Sequence, residues 1–389
     1  MPVFLYLLAV AVFAMGTSEF MLAGLVPDIA ATLDVSIGAA GLLTSAFAVG
    51  MVVGAPLMAA LARRARARTT LLFFVLLFAA AHLVGALTTS FGVLLGTRVI
   101  AALANAGFLA VALSTAAALV AADRKGRALA VLLSGTTLAT VAGAPGGALL
   151  GALLGYRATF WAIALLCVPA AYGIVRGIPA DAGAADNATA PSLRDEIREL
   201  ARPGLLLVIV LGALVNAATF ATFTFLAPIV TGTAGLGELW VPVALTLFGL
   251  GSFAGVTVAG RISDRRPGRV IAFGGPALLL GWIALGVLAG QPAALLSLVF
   301  VQGALAFAVG STLIARVLYA AENAPTMGGS YATAALNIGA AGGPAVAAAT
   351  LGAGELGPVW VSGLLMAIAL VIALPLLRVV APRAVPAPR

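Results

Sequence analysis

Long apolar segments separated by short polar stretches dominate this sequence of 389 residues. Nearly uncharged segments recur along it, among them 4–27, 70–91, 99–122, 128–156, 270–290 and 293–315. Each can cross a hydrocarbon core of about 30 Å as a helix, in which the backbone satisfies its own hydrogen bonds. We recognise twelve such segments. The pattern therefore predicts an all-α integral membrane protein with twelve transmembrane helices.

The second half of the chain echoes the first at an offset of 201 residues. The matching residues shape helices or charge loops, and they are Pro27 and Pro228, Gly50 and Gly251, Gly54 and Gly255, Arg64 and Arg265, and Arg68 and Arg269. A constant offset indicates an internal repeat. We predict two pseudo-symmetric six-helix bundles at 1–176 and 204–380, a cytoplasmic linker at 177–203 and a cytoplasmic tail at 381–389.

The predicted linker is the long polar segment of the chain. Within it, SLRDEIREL begins like a capped amphipathic helix, with Ser192 three residues before Asp195. A surface helix and a flexible tether are both compatible with this composition.

Composition supports the membrane interpretation, and the positions of the basic residues explain the high pI. The chain is 62% hydrophobic with a mean hydropathy of +1.16, too apolar for a water-soluble globule. Its pI of about 10.7 would suggest a nucleic-acid partner in a soluble protein. With the N-terminus in the cytoplasm, however, all basic residues except Arg98 and Arg157 fall in inner loops or the C-terminal tail, as the positive-inside rule requires. We expect a multi-pass cell-membrane protein with both termini cytoplasmic and no nucleic-acid partner.

Glycines recur every four residues on several predicted helices. The pairs and runs are Gly50 and Gly54, Gly143 to Gly155, Gly251 and Gly255, and Gly339 and Gly343. Such stripes let helix backbones approach closely in lipid. They indicate tight helix contacts, or surfaces on which the two halves slide.

Several motifs together carry a family resemblance. They are GTSEFMLAGLVPDIA (16–30), LLTSAFAVGMVVGAPLMA (42–59), TRVIAALANAGFLAVAL (97–113), GAPGGALLG (143–151) and the loop GRISDRRPGR (260–269). With twelve helices in two parallel repeats, this sequence resembles the major facilitator superfamily of secondary transporters. It looks like the twelve-helix drug:proton antiporter branch, and most like its chloramphenicol exporters.

The resemblance implies the major facilitator fold and a proton-coupled antiporter. We expect export of chloramphenicol or a similar small amphiphilic drug by alternating access, without enzymatic activity and without a cofactor. Arg98 matches the arginine of the family's helix 4 motif. The family's antiporter motif on helix 5 corresponds to Gly143, Pro145, Gly146 and Gly147.

The loop after the second helix departs from the family pattern. The usual Gly and Asp are replaced by Ala59 and Arg63, whereas the second half keeps Gly260, Asp264, Arg265 and Arg269. An acid here can hold the cytoplasmic side shut at the positive end of a helix. We expect Asp264 to do so near the start of helix 5. We also hypothesise that Glu322 pairs with Arg63 or Arg64 as a latch of reversed polarity.

Two charged residues lie inside the predicted helices. Glu19 is in the middle of the first and Arg98 near the outer third of the fourth, where charges are expensive and usually functional. We predict that Glu19 carries the proton and that Arg98 assists its release. A hydrogen bond from Glu19 to a neighbouring helix and a bond from Arg98 to helix-end carbonyls are the structural alternatives.

Polar and aromatic residues in the spans suggest a binding cavity for an uncharged, partly aromatic solute. The candidates are Phe13, Phe20, Thr44, Asn105, Asn216, Phe220, Phe223 and Asn337. The alternative is that the amides bond neighbouring helices and the phenylalanines face lipid.

The sequence offers few residues for metal binding, nucleophilic catalysis or nucleotide binding. Cys167 and His82 are single residues of their types, which leaves no metal site and no Cys-His nucleophile, and we interpret both as packing residues. No phosphate-binding G-x-x-x-x-G-K-[ST] motif is present. The expected partners are the drug, protons and the lipid bilayer, and we expect a monomer. An exporter of an endogenous metabolite or sugar is the main rival, and a membrane-embedded enzyme or a non-transporting scaffold is less well supported.

Overall fold

The computed structural model describes residues 2–61, 66–121, 124–179, 193–263, 266–324 and 327–380, and these ranges are helical apart from short connections. Twelve helices are labelled in chain order. Their bounds are α1 Val3–Phe20, α2 Ile37–Leu61, α3 Ala67–Leu87, α4 Phe91–Ala118, α5 Lys125–Leu154, α6 Tyr156–Gly177, α7 Pro203–Thr224, α8 Trp240–Ser263, α9 Pro267–Leu288, α10 Pro292–Ala320, α11 Gly328–Ala348 and α12 Gly357–Ala373.

Length and composition suit these helices to a membrane. Within the described ranges, α1 to α11 are each long and apolar enough to span it. The last helix, α12, is an apolar helix of 17 residues, at the lower end of the lengths that cross a hydrocarbon core. The predicted all-α membrane fold of twelve helices is therefore confirmed.

The chain forms two compact units, residues 1–190 with 238–246 and residues 191–237 with 247–389. In the first unit, α1 packs against α5 and α6, and α3 packs against α4 and α6. In the second unit, α7 packs against α11 and α12, and α9 packs against α10 and α12. Corresponding helices therefore make corresponding contacts inside each unit.

Helices α1 and α5 are interrupted where they meet. After α1 ends at Phe20, the chain passes through Met21 into a further helix, Leu22–Thr32. Helix α5 contains a π-helical segment, Ala139–Gly143, between Lys125–Leu138 and Ala144–Leu154. Pro145 follows this segment, and it lacks an N–H and crowds the carbonyl of Val141, so the wider turn accommodates the proline.

The glycine stripes lie at close contacts inside each unit. A Cβ atom on Gly50 would lie 2.6 Å from the Cβ of Ala102 on α4. On α5, a Cβ on Gly147 would lie 3.0 Å from the Cβ of Met21. The stripes on α8 and α11 face backbone atoms of α10 and α7, respectively. These contacts support tight helix packing, the first of the two interpretations of the stripes.

Candidate functional site

Glu19 is the second-last residue of α1, immediately before the interruption at Met21. Its side chain is half-buried, and Arg98 on α4 is the charged residue that interacts with it favourably. The fold of the first unit therefore brings together the two ionisable residues that were predicted to act in proton coupling.

Arg98 is fixed in place by Ser18, the residue next to Glu19. The arginine is 1% exposed, and its Nη1 donates to Ser18 Oγ and its Nη2 to the Ser18 carbonyl oxygen, each at 2.7 Å. This carbonyl belongs to the last turn of α1, where carbonyl groups need partners outside their own helix. The ring of Phe47 on α2 lies 4.7 Å from the guanidinium carbon, which adds a cation–π contact.

His82 on α3 joins the same cluster, although the sequence suggested only a packing role. Its Nε2 lies 2.8 Å from Ser18 Oγ, and its Nδ1 lies 2.8 Å from the carbonyl oxygen of Phe78. His82 is buried, and its imidazole lies beside the rings of Phe78 and Phe160. One signal in the sequence could have indicated this, because an ionisable residue inside an apolar segment is functional by default.

The predicted cavity residues of the first unit lie on α1, α2 and α4. Phe13 and Phe20 are half-buried, and Thr44 and Asn105 are buried. Asn105 Nδ2 lies 3.7 Å from the sulfur of Met51. Thr44 Oγ1 and Asn105 Oδ1 have no hydrogen-bond partner among the described residues. Buried polar atoms normally have partners, so these two are available to a bound solute or water.

In the second unit, the two predicted amides differ in their surroundings. Asn216 Nδ2 on α7 donates to the carbonyl of Leu336 on α11 at 2.6 Å, so this side chain links two helices. Asn337 Nδ2 donates to Thr333 of its own helix at 2.9 Å. Its Oδ1 is buried without a hydrogen-bond partner in the described ranges.

The predicted phenylalanines of the second unit belong to a row of aromatic rings. Phe220 and Phe223 are buried on α7 with ring centroids 5.8 Å apart, and the Phe223 and Phe248 centroids are 4.7 Å apart. A cavity of about 10 Å³, room for roughly one water, lies beside them. Its lining is Thr222, Phe223, Leu226, Phe248, Trp282, Leu285, Val299 and Gln302.

The repeat offset identifies the residues of the second unit that correspond to Phe47 and Arg98. Phe248 corresponds to Phe47, and Val299 corresponds to Arg98. The cation that lies over an aromatic ring in the first unit is thus replaced by an apolar side chain in the second.

The residues predicted to form the antiporter motif pack largely against α1 and the helix that follows it, Leu22–Thr32. A Cβ atom on Gly143 would collide with Thr17 Oγ1, and one on Gly147 would contact Met21. Pro145 is buried, whereas Gly146 is exposed and a Cβ there would meet nothing within 4 Å. Two glycines of the motif therefore set the distance between α1 and α5.

The predicted gating residues are described only in part. Arg63, Arg64, Asp264 and Arg265 lie outside the described residues, and so do the contacts expected for them. Gly260 on α8, Arg269 on α9 and Glu322 after α10 are exposed.

A different acid lies at the start of α11. Glu196 of the short helix Leu193–Glu199 is 0% exposed, and its Oε2 accepts a hydrogen bond from Met327 N at 2.8 Å. Tyr331 donates its hydroxyl to the Glu196 carbonyl at 2.8 Å. The short helix is thus attached to the second unit by a buried side chain. Glu196 lies in the predicted linker, and the sequence indicated no role for it.

Two units with corresponding helix pairs, and a half-buried acid beside a buried arginine in one of them, have the organisation of a secondary transporter. Among the described residues, no group of three or more His, Cys, Asp or Glu could hold a metal ion. Residues 8–344 match the sequence pattern of the Major Facilitator Superfamily. The chain belongs to this superfamily, and it is a transporter and not an enzyme.

Relatives of higher sequence identity agree with this assignment. A chloramphenicol resistance protein of Streptomyces lividans is 69% identical over 98% of this chain and 97% of its own length. The inner membrane transport protein YdhP of Escherichia coli (strain K12) is 32% identical over 89% of this chain and 88% of its own length.

Solved structures share the fold at low sequence identity. A bacterial homologue of the human lysosomal transporter Spinster has a TM-score of 0.77 at 16% identity, covering 99% of this chain and 98% of that one. The nucleoside transporter NupG has a TM-score of 0.76 at 14% identity, covering 97% of this chain and 99% of that one.

Proposed function

We propose that this protein exports chloramphenicol or a similar small amphiphilic compound across the cell membrane in exchange for protons. The observation that carries the proposal is the 69% identity, over 98% of the chain, to the chloramphenicol resistance protein of Streptomyces lividans. A transporter can confer resistance by lowering the internal drug concentration, without chemistry on the drug and without a cofactor.

Glu19 is the proposed proton carrier. A carboxyl group among apolar helices is costly when ionised, so it changes protonation state easily when its surroundings change. Arg98, held on Ser18 beside it, stabilises the carboxylate once the proton has left. A proton driven by about 150 mV supplies about 3.5 kcal/mol, enough for a gradient of a few hundredfold in a neutral solute.

Drug contacts are proposed for the buried polar atoms that have no partner among the described residues. In the first unit these are Thr44 Oγ1 on α2 and Asn105 Oδ1 on α4. The rings of Phe13 and Phe20 on α1 are the proposed apolar contacts of this unit. In the second unit Asn337 Oδ1 is of this kind, and the rings of Phe220 and Phe223 offer apolar surface. Aromatic walls with a few amide and hydroxyl groups suit a compound that has a ring, hydroxyls and an amide.

Orientation and assembly complete the proposal. The basic residues of the predicted inner loops favour cytoplasmic termini. Two bundles in one chain supply both halves of an alternating-access transporter, so we propose that a monomer is sufficient.

Drug accumulation in cells tests the proposal. Cells that make the protein should accumulate less chloramphenicol than cells without it, and a protonophore should abolish the difference. Glu19→Gln should raise accumulation to the level of cells without the protein. Glu238→Gln, which changes an exposed acid before α8, is the matched control and should behave like the wild type.

The outcomes separate the parts of the proposal. Equal accumulation with and without the well-expressed wild type would overturn chloramphenicol as the substrate. Export that persists in the presence of protonophore would overturn the exchange for protons. Export that persists only in Glu19→Gln, and stays sensitive to protonophore, would overturn Glu19 as the proton carrier.

A further inference from the structure

We propose that His82 is a positioning residue for proton coupling, which acts through Ser18 to hold the Arg98 guanidinium beside Glu19. This inference rests on the proposed role of Glu19 and Arg98. It concerns a histidine on α3, whereas Glu19 lies on α1 and Arg98 on α4.

The hydrogen-bond directions in the cluster are fixed by its two ends. The Phe78 carbonyl can only accept, so His82 Nδ1 must carry the hydrogen at this 2.8 Å contact. In a neutral imidazole Nε2 is then an acceptor, and the Ser18 hydroxyl donates to it at 2.8 Å. This orientation leaves the lone pairs of Ser18 Oγ for Arg98 Nη1 at 2.7 Å. Each donor in the series therefore faces an acceptor.

Packing keeps the imidazole in this orientation. His82 is 1% exposed, and the Phe78 and Phe160 ring centroids lie 4.3 Å and 5.6 Å from its own. A closely packed ring between two aromatic neighbours cannot turn away without a cavity opening. The position of the Ser18 hydroxyl hydrogen is therefore set by α3, although Ser18 belongs to α1.

Without His82, the Ser18 hydroxyl would lose the acceptor that fixes its orientation. A helical serine without another acceptor bonds back to the carbonyl four residues earlier, which for Ser18 belongs to Ala14. The lone pairs of Oγ would then turn away from Arg98, which would keep only its bond to the Ser18 carbonyl. Arg98 would be less firmly placed when the proton leaves the Glu19 carboxyl for water and the carboxylate needs its partner.

Proton release on drug binding tests this inference. Purified protein is mixed with chloramphenicol in weakly buffered detergent solution, and the protons released are divided by the drug bound. This ratio does not depend on the fraction of folded protein. Because loss of a hydrogen bond to a charged group shifts an equilibrium by about tenfold, His82→Leu and Ser18→Ala should each lose most of the release. His82→Gln, which can offer an amide oxygen to Ser18, should restore much of it.

Controls distinguish a positioning role from packing. Cys167→Ala removes a buried side chain of the same unit that bonds to the Ile163 carbonyl of its own helix, and it should keep the wild-type ratio. The double variant His82→Leu with Ser18→Ala should be no worse than the single variants, since both break one series of contacts. If His82→Leu does not fold, Ser18→Ala and His82→Gln decide the question.

Failure of the inference differs from failure of the proposed function. If the wild type binds no chloramphenicol or releases no protons, the proposed function is wrong and the inference falls with it. If the wild type releases protons and the His82→Leu or Ser18→Ala ratio is unchanged, only the role of His82 is overturned.

Discussion

Glu196 Oε2 accepts a hydrogen bond from Met327 N at 2.8 Å, which places a buried carboxylate at the first residues of α11. The end of a helix that carries free N–H groups favours negative charge. The same acid lies on the short helix Leu193–Glu199, so this contact helps to hold the helix against the second unit, together with the Tyr331 hydrogen bond to the Glu196 carbonyl. An acid therefore lies at the start of α11 even though Arg63 replaces the usual acid of the first loop.

We expect Glu196→Ala to release the short helix. A hydrogen bond to a charged group contributes about 1.5–3 kcal/mol, so local opening should increase about tenfold or more. Trypsin should then cut the purified protein faster after Arg194, which is exposed on the same short helix. Glu322→Ala, which removes an exposed acid before α11, serves as the control. Equal cutting rates in wild type and Glu196→Ala would show that the carboxylate does not hold the helix.

Gly143 and Gly146, both in the predicted antiporter motif, offer a matched pair of substitutions on α5. A methyl group on Gly143 would collide with Thr17 Oγ1, whereas one on Gly146 would meet nothing within 4 Å. Overpacking of a close helix contact costs about 1–3 kcal/mol. Gly143→Ala should therefore lower the melting temperature and drug resistance, and Gly146→Ala should leave the melting temperature unchanged. If Gly146→Ala abolishes resistance in a stable protein, this glycine has a role beyond packing.

The fold was predictable because the membrane imposes simple constraints on sequence. Apolar segments must be long enough to span it, and basic residues collect on one side. Glu19 and Arg98 could be selected for the same reason, since each interrupts an apolar segment at high cost. Their proximity could not be predicted, because it depends on how α1 and α4 are rotated against each other.

The contacts of Ser18 with His82 and of Glu196 with Met327 could not be predicted from the sequence. Serine is common in membrane helices, and no sequence pattern links Ser18 to a histidine 64 residues away. Glu196 lies in a segment whose charges suggest a solvated helix, and only the tertiary contact with Met327 shows that it is buried. Such pairings are set by packing between distant helices and leave no periodic signal.

The amides Asn216 and Asn105 should respond differently to substitution. Asn216 bonds the Leu336 carbonyl across a helix contact, so Asn216→Ala should lower stability by about 1 kcal/mol, measured as a lower melting temperature. Asn105 Oδ1 has no hydrogen-bond partner within the described residues, so Asn105→Ala should change stability less and raise the KM for chloramphenicol. The reverse pattern would place the drug contact at Asn216 and a structural role at Asn105.

Arg98 should not tolerate lysine, because its contacts use two nitrogens at once. Nη1 and Nη2 bond the hydroxyl and the carbonyl of Ser18, and a single ammonium group cannot reproduce this fork. Loss of one charged hydrogen bond predicts at least about a tenfold fall in the transport rate at equal expression. Arg157→Lys is the matched control, since Arg157 Nη1 makes one bond, to the Ala86 carbonyl at 2.8 Å, which an ammonium can replace. If Arg98→Lys transports chloramphenicol as fast as Arg157→Lys, positive charge alone is sufficient at this position, and the paired contact with Ser18 is not required for coupling.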